Sequence, residues 1–264
     1  RAYISTWVMR DFSGGVGLKR IDVDNDDHFK RLWDSTAETR WLGQVTPSLE
    51  AQEAGKTGGA EIVSRIVAFK GDYFCLGLDG TDLNCLKWTS PNWASAGDVV
   101  TLHADSGTYG KPCDLIVSQD GGVSCLLASY KDVTTGPYYG THFKKSTDGA
   151  NWSSPTDSYI HTASASTAPF PSEKALLVIG SELFVCTFTA ENLIKIYKKT
   201  DVDAEESEVC SFQSGGEGTG FIAFWDTSGN FVPFVGTQEG WWMIDTTNNK
   251  AVFYGDLTES ISIA

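Results

Sequence analysis

A short kernel repeated along the chain limits the folds open to it: Val, seven residues, Cys. It occurs as Val67 to Cys75 (VAFKGDYFC), Val117 to Cys125 (VSQDGGVSC) and Val178 to Cys186 (VIGSELFVC). In each copy an apolar run leads into turn residues: Lys70-Gly71-Asp72, Gln119-Asp120-Gly121-Gly122 and Gly180-Ser181-Glu182. A second apolar run then carries the cysteine. Two short strands joined by a tight hairpin give this pattern. A looser fourth copy runs from Phe221 to Val235 (FIAFWDTSGNFVPFV). Its turn, Asp226-Thr227-Ser228-Gly229-Asn230, is longer, and Val232 or Pro233 takes the place of the cysteine.

Two further strands are expected after each kernel. The third strands fall at 83–88, 139–144, 193–199 and 241–245, the fourth at 99–103, 158–162, 209–212 and 251–255. The resulting units span 63–106, 113–163, 174–213 and 219–258. Four-stranded units recurring at this period, rich in glycine and aromatics, point to an all-β fold of the propeller type. No long amphipathic helix separates the strands, which disfavours a parallel α/β fold. A β-sandwich has no reason to repeat one kernel. The expectation is a β-propeller domain over 63–264, about four four-stranded blades being visible, behind an irregular N-terminal arm over 1–62. Four blades alone rarely close a ring. Either residues 1–65 add strands, or the chain continues past Ala264, where Ser260-Ile261-Ser262-Ile263 reads as the start of another strand. Arg1 in place of a methionine reads as a processed or trimmed beginning.

The first stretch differs in kind. Residues 3–9 alternate enough to form a strand, and Phe12-Ser13-Gly14-Gly15-Val16-Gly17 is a glycine-rich turn. Asp24-Asn25-Asp26-Asp27 suits the N-terminus of a short helix over 28–33, since acids favour that end of the helix dipole. Asp22, Asp24 and Asp26 have the spacing of a calcium loop, but the glycine and bidentate glutamate of an EF-hand are missing, so no metal is expected. Residues 44–60 read as a connection.

Charge is uneven. Residues 1–65 hold six Arg and three Lys against ten acids, whereas 66–264 hold no Arg, eleven Lys and twenty-four acids. An acidic surface of that size repels nucleic acid phosphates and anionic lipid, so neither is expected as a partner. The six cysteines show neither C-x-x-C nor zinc spacing. Cys75, Cys125 and Cys186 occupy one place in successive repeats and read as small buried hydrophobes. One disulfide is arguable, because a three-residue turn over 79–81 would set Cys75 opposite Cys85, but the expectation for all six cysteines is free thiols.

Ser146-Thr147-Asp148-Gly149-Ala150-Asn151-Trp152 resembles the Asp-box hairpin of sialidase-like propellers, one residue shorter than the usual form. The resemblance implies a staple between third and fourth strands, the aspartate capping backbone N–H groups and the tryptophan packing beneath it. It implies no catalytic residue. Sialidases grip a carboxylate with three arginines, and no arginine lies beyond Arg65, so that activity is rejected. Other glycosidases need two carboxylates about 5–10 Å apart. Asp245, after Trp241-Trp242, is the most tempting single acid, yet an aromatic strand beside one acid reads first as core with a solvated edge. The four histidines, 28, 103, 142 and 161, accompany no nucleophile elbow. Trp88, Trp93, Trp225, Trp241 and Trp242 are candidates for a sugar platform, and each also reads as core.

Residues 10–48 carry a second resemblance, in Arg10-Asp11-Phe12-Ser13-Gly14-Gly15-Val16-Gly17 and Leu32-Trp33-Asp34-Ser35-Thr36-Ala37-Glu38-Thr39-Arg40-Trp41. This looks like the leading segment of bacteriophage tail proteins that go on to build a propeller-like domain. The resemblance implies a structural virion protein with no enzyme activity and no cofactor. Its partners would be other tail proteins, copies of itself and a host-surface glycan or receptor. The alternative is a secreted, extracellular propeller that binds or processes carbohydrate.

Overall fold

Positive backbone angles mark the tight hairpins. Lys70 and Gly71 have φ of 50° and 89°, Gly121 and Gly122 of 55° and 80°, and Gly180 of 63°. Such angles match the turn to the twist of the strands it joins, which is why glycine recurs there. The computed structural model describes residues 5–12, 15–22, 61–62, 64–65, 67–79, 82–89, 98–103, 110–133, 136–189, 191–215, 218, 220–225, 230–237 and 239–255. They fall into two compact units, residues 1–62 with 68–104, and residues 63–67 with 105–264.

In the first unit β1 (Ser5–Phe12) and β2 (Gly15–Asp22) form a two-stranded sheet, in register from Ser5↔Asp22 to Phe12↔Gly15. The glycine-rich turn is therefore a hairpin with a second strand that pattern reading did not anticipate. The expected helix at 28–33, the calcium-like aspartates 24 and 26 and the connection 44–60 lie outside the described residues. The first blade-like sheet holds β3 (Glu61–Ile62), β4 (Val67–Phe69), β5 (Asp72–Asp79), β6 (Asp82–Thr89) and β7 (Asp98–His103). Both β3 and β4 pair with β5, so its first strand position is shared by two short pieces.

The second unit contains three more sheets. The second sheet is β8 (Gly110–Asp120), β9 (Val123–Asp132), β10 (Tyr139–Ser146) and β11 (Tyr159–Thr162). The third is β12 (Phe170–Ile179), β13 (Glu182–Phe188), β14 (Leu193–Lys199) and β15 (Ser207–Gln213). The fourth is β16 (Gly220–Trp225), β17 (Phe231–Gly236), β18 (Trp241–Asp245) and β19 (Lys250–Gly255). Each is an antiparallel meander in chain order, and the first strands β8, β12 and β16 pack side by side. Successive four-stranded meanders meeting through their first strands are propeller blades. The helical content of the described residues is one 3-10 turn, Ala165–Thr167. The fold is all-β.

Two apolar layers hold the second unit together. Ile116, Leu127, Phe143 and Ile160 of the second sheet meet Leu176, Leu183 and Val185 of the third. Cys186, Phe188, Ile196 and Val209 of the third sheet meet Phe221, Val235 and Ile244 of the fourth. Each such side chain contributes about 1.5–3 kcal/mol when fully buried. The loop after β14 adds a peg: Val202 is buried in the first of these layers, while Asp201 and Asp203 on either side bind the Gly121 and Thr156 N–H groups of the second sheet.

One expectation needs correction, and the arguable disulfide gives way to the expected free thiols. The eight-residue kernel spacing does not correspond to one register, because the turns fall at 70–71, 121–122 and 180–181, at different distances from the valine and the cysteine. All three cysteines are nevertheless fully buried on the second strands of their sheets. Nor do Cys75 and Cys85 face each other. Cys75 pairs with Leu86 and Cys85 with Leu76, because the turn closes at Asp79↔Asp82 and is one residue shorter than expected. Neighbouring strand positions point to opposite faces, so no disulfide joins them, and all six cysteines are thiols. Burial pushes the Cys85 and Cys186 thiols up to about 12, which makes both poor nucleophiles.

Candidate functional site

One face of the second sheet gathers rings and a carboxylate at a single end. Gly140 pairs with Asp132 on β9 and with His161 on β11; His142 pairs with Tyr130 and Tyr159. Residues directly opposite share a face, so Tyr130, Asp132, His142, Tyr159 and His161 stand together, on the side away from Phe143 and Ile160. Gly140 lets β10 approach the β11 backbone closely. Its φ is 153°, and a Cβ there would collide with the Ile160 carbonyl oxygen. Two residues earlier, Tyr138 stacks on Tyr159, centroids 5.1 Å apart and planes 23° apart.

The remaining contacts build a layered cluster. His161 stands edge-on to Tyr138 at 4.9 Å, and His142 edge-on to Tyr159 at 4.4 Å. His142 is buried, as is Asp132. The His142 ring Nε2–H donates to the Tyr138 carbonyl at 2.7 Å, and Nδ1 lies 3.5 Å from an Asp132 oxygen. Both ring nitrogens thus face oxygen atoms. The buried His–Asp pair holds the Tyr138 backbone, and Tyr138 itself is 40% exposed beside exposed His161. Hydroxyls of Thr162, Ser164, Ser166 and Thr167 follow on the next connection. Chemically, this is an exposed Tyr138 ring stacked on Tyr159, with the exposed His161 imidazole standing edge-on beside it.

The other residues singled out in the sequence sit elsewhere. Trp93 lies outside the described residues, and of Trp88 and Trp225 only the backbone, on β6 and β16, is described. Trp242 packs in the apolar layer between sheets, stacked on Phe212 at 4.6 Å and edge-on to Phe253 at 5.1 Å, and Trp241 beside it is half-buried. His103 is on β7. The rings that do cluster are spaced Tyr138, Gly140, His142 and Tyr159, His161. That alternation of period two is legible in the chain, but a search for tryptophan passes over it.

The tempting acids are committed to structure. Asp148 Oδ1 accepts from the N–H groups of Ala150 and Asn151 at 2.9 and 2.7 Å, and Oδ2 from the Asn151 amide at 2.7 Å. Those bonds hold its carboxyl well below the usual carboxylate range. Ser146 Oγ accepts from the Gly149 N–H, and Trp152 Nε1 donates to the Gly149 carbonyl. Asp245 repeats the pattern in the fourth sheet, with Oδ1 on the N–H groups of Thr247 and Asn248 and Oδ2 on the Asn248 amide. Both sequences read Asp-x-x-Asn between third and fourth strands, so Asp245 is a turn cap. Lys145 links Asp120 and Asp203 at 2.6 Å each; burial works against its charge, but these bonds raise its pKa.

No protein-family model matches the sequence, and no curated protein matches it. Among solved structures the chain is similar to a GH43 β-1,3-galactosidase, at 11% identity over 76% of this chain and 47% of that one, with a TM-score of 0.46. It is also similar to a prolyl endopeptidase, at 8% identity over 95% of this chain and 33% of that one, with a TM-score of 0.45. An α-L-arabinofuranosidase from Lactobacillus brevis matches at 11% identity over 73% of this chain and 66% of that one, with a TM-score of 0.36. The chain spans 47% of the galactosidase's length and 33% of the endopeptidase's.

Proposed function

We propose that this chain is a non-enzymatic structural component of a bacteriophage tail, with the blades serving as a rigid platform that faces a host-surface glycan. The observation that carries the binding half is the exposed Tyr138 ring stacked on Tyr159 and flanked by His161. A flat aromatic face covers the apolar side of a sugar ring, while imidazole and hydroxyl groups at the rim meet its hydroxyls. Support for the virion half comes from the leading segment, residues 10–48, and from the concentration of arginine there, a residue favoured at interfaces. Asp148 and Asp245 cap turns and Asp114 is held by Arg65, which leaves these acids to structure.

The same ring pair favours the alternative, a secreted propeller that binds or processes carbohydrate. One experiment separates the two. Purified protein is screened on a glycan array and assayed for release from sialosides and common glycosides, with Tyr138→Ala alongside. Binding that Tyr138→Ala abolishes, with no release, is the expected result. Turnover that disappears when one acidic residue is replaced would overturn the structural reading, and an array with no bound glycan would remove the platform.

A further inference from the structure

Where the second and third sheets of the second unit meet, three ionisable side chains crowd together. Lys199, on β14, is 1% exposed and donates from Nζ to the Asp157 carbonyl at 2.8 Å, with an Asp157 carboxylate oxygen at 3.7 Å. Its ammonium also sits over the Phe143 ring at 5.2 Å, which holds the charge in place. Glu206, on the loop leading into β15, lies within hydrogen-bonding reach of the Asp157 carboxyl. Yet Asp157 Oδ2 and Glu206 Oε2 are both buried without a hydrogen-bond donor.

Buried carboxylate oxygens without hydrogen bonds are rare, because each gives up hydration with no hydrogen bond in return, and the Lys199 ammonium 3.7 Å from Asp157 Oδ2 offsets only part of that loss. Two carboxylates sharing one ammonium also leave one negative charge uncompensated. A single proton between the two carboxyls cures both defects, giving one O–H donor, one acceptor and a balanced charge. We propose that Asp157 and Glu206 form a shared proton-binding site, and that its proton tightens the grip of the third sheet on the connection before β11. Around the pair stand Lys199 and Tyr197 on β14, Asp203 on the same loop as Glu206, Lys145 on β10 bonded to Asp203, and Glu208 on β15. Lys199 favours loss of the proton, the neighbouring acids oppose it, and burial opposes it most.

These forces push the Glu206 carboxyl up from 4.5 to about 7, with burial first and the Asp157 hydrogen bond second. The sign follows. A folded-state pKa above the unfolded one gives stability that is full below about 4.5 and is lost as pH rises through about 7.

The test uses the full chain. Denaturant midpoints are measured from pH 5 to 8 for the native protein and for Glu206→Gln, whose amide supplies a permanent donor. The native midpoint is expected to fall across this range, and the variant's to lose that component. Equal pH slopes for the two proteins would overturn the proposal. Should Glu206→Gln fail to fold, carboxyl 13C shifts of the native protein still decide. A Glu206 titration centred near 7 supports the site, and one in the ordinary glutamate range overturns it.

Discussion

Arg65, the last arginine in the chain, meets the buried Asp114 carboxylate at both oxygens, Nε at 2.8 Å from Oδ1 and Nη2 at 2.6 Å from Oδ2. The backbone N–H groups of Leu115 and Leu176 complete the shell at 2.9 Å each, and Nη2 also donates to the Leu176 carbonyl. Asp114 lies on β8 and Leu176 on β12, so one carboxylate ties the first strands of adjacent sheets. Burial raises its pKa, against the pull of the guanidinium and the two backbone donors. Arg65→Ala would leave that charge uncompensated and is expected to cost about 3 kcal/mol, the low end for a broken buried pair, since Arg65 is partly exposed. Arg65→Met with Asp114→Leu should cost less than the sum of the two single changes. Urea unfolding of the four proteins measures both.

Asp148 and Asp245 should behave alike, because each caps its turn through the same three donors. Replacing Asp148 with Ala is expected to lower the melting temperature by a few degrees, with Asp245→Ala shifting it the same way. Glycan binding should be unchanged in both. A depressed folded pKa contributes stability that is present above 3.8 and lost as pH falls through the folded value. Carboxyl 13C shifts should therefore show Asp148 still ionised at pH 3, and a titration near 3.8 would remove it as a cap.

Gly140→Ala tests how the ring cluster is positioned. The added methyl collides with the Ile160 carbonyl, and the backbone angle already disfavours any side chain. A cost of about 1–3 kcal/mol is expected from the angle alone, with the collision added. The Tyr138–Tyr159 stack should loosen and glycan binding should fall further than stability. Calorimetry and binding measured on one preparation distinguish the two effects.

The leading segment is expected to act in assembly. A two-stranded hairpin is marginal by itself, because ordering each residue costs about 1–2 kcal/mol and two strands bury little. A chain starting at residue 63 should remain soluble and folded but no longer self-associate, as read by light scattering across a concentration series. If both forms were monomeric throughout, the segment would have no assembly role.

Strand order was readable because it rests on local chemistry. Turn residues such as Lys70-Gly71 and Gly121-Gly122 and the apolar runs between them place the hairpins, although β8 and β12 begin at Gly110 and Phe170, ahead of the expected unit starts at 113 and 174. The third and fourth strands of every sheet fall where the pattern put them. Register was not readable, since Val-x7-Cys says nothing about which residue begins the turn; hydrogen bonding across the pair decided that Cys85 sits opposite Leu76. The cap at Asp148 was legible as a motif, because its partners lie within three residues. The Arg65–Asp114 pair and the Asp157–Glu206–Lys199 cluster join residues far apart in the chain, and no local pattern marks them. Local backbone preference determined the strands, and packing of one sheet on the next decided which charges were buried together.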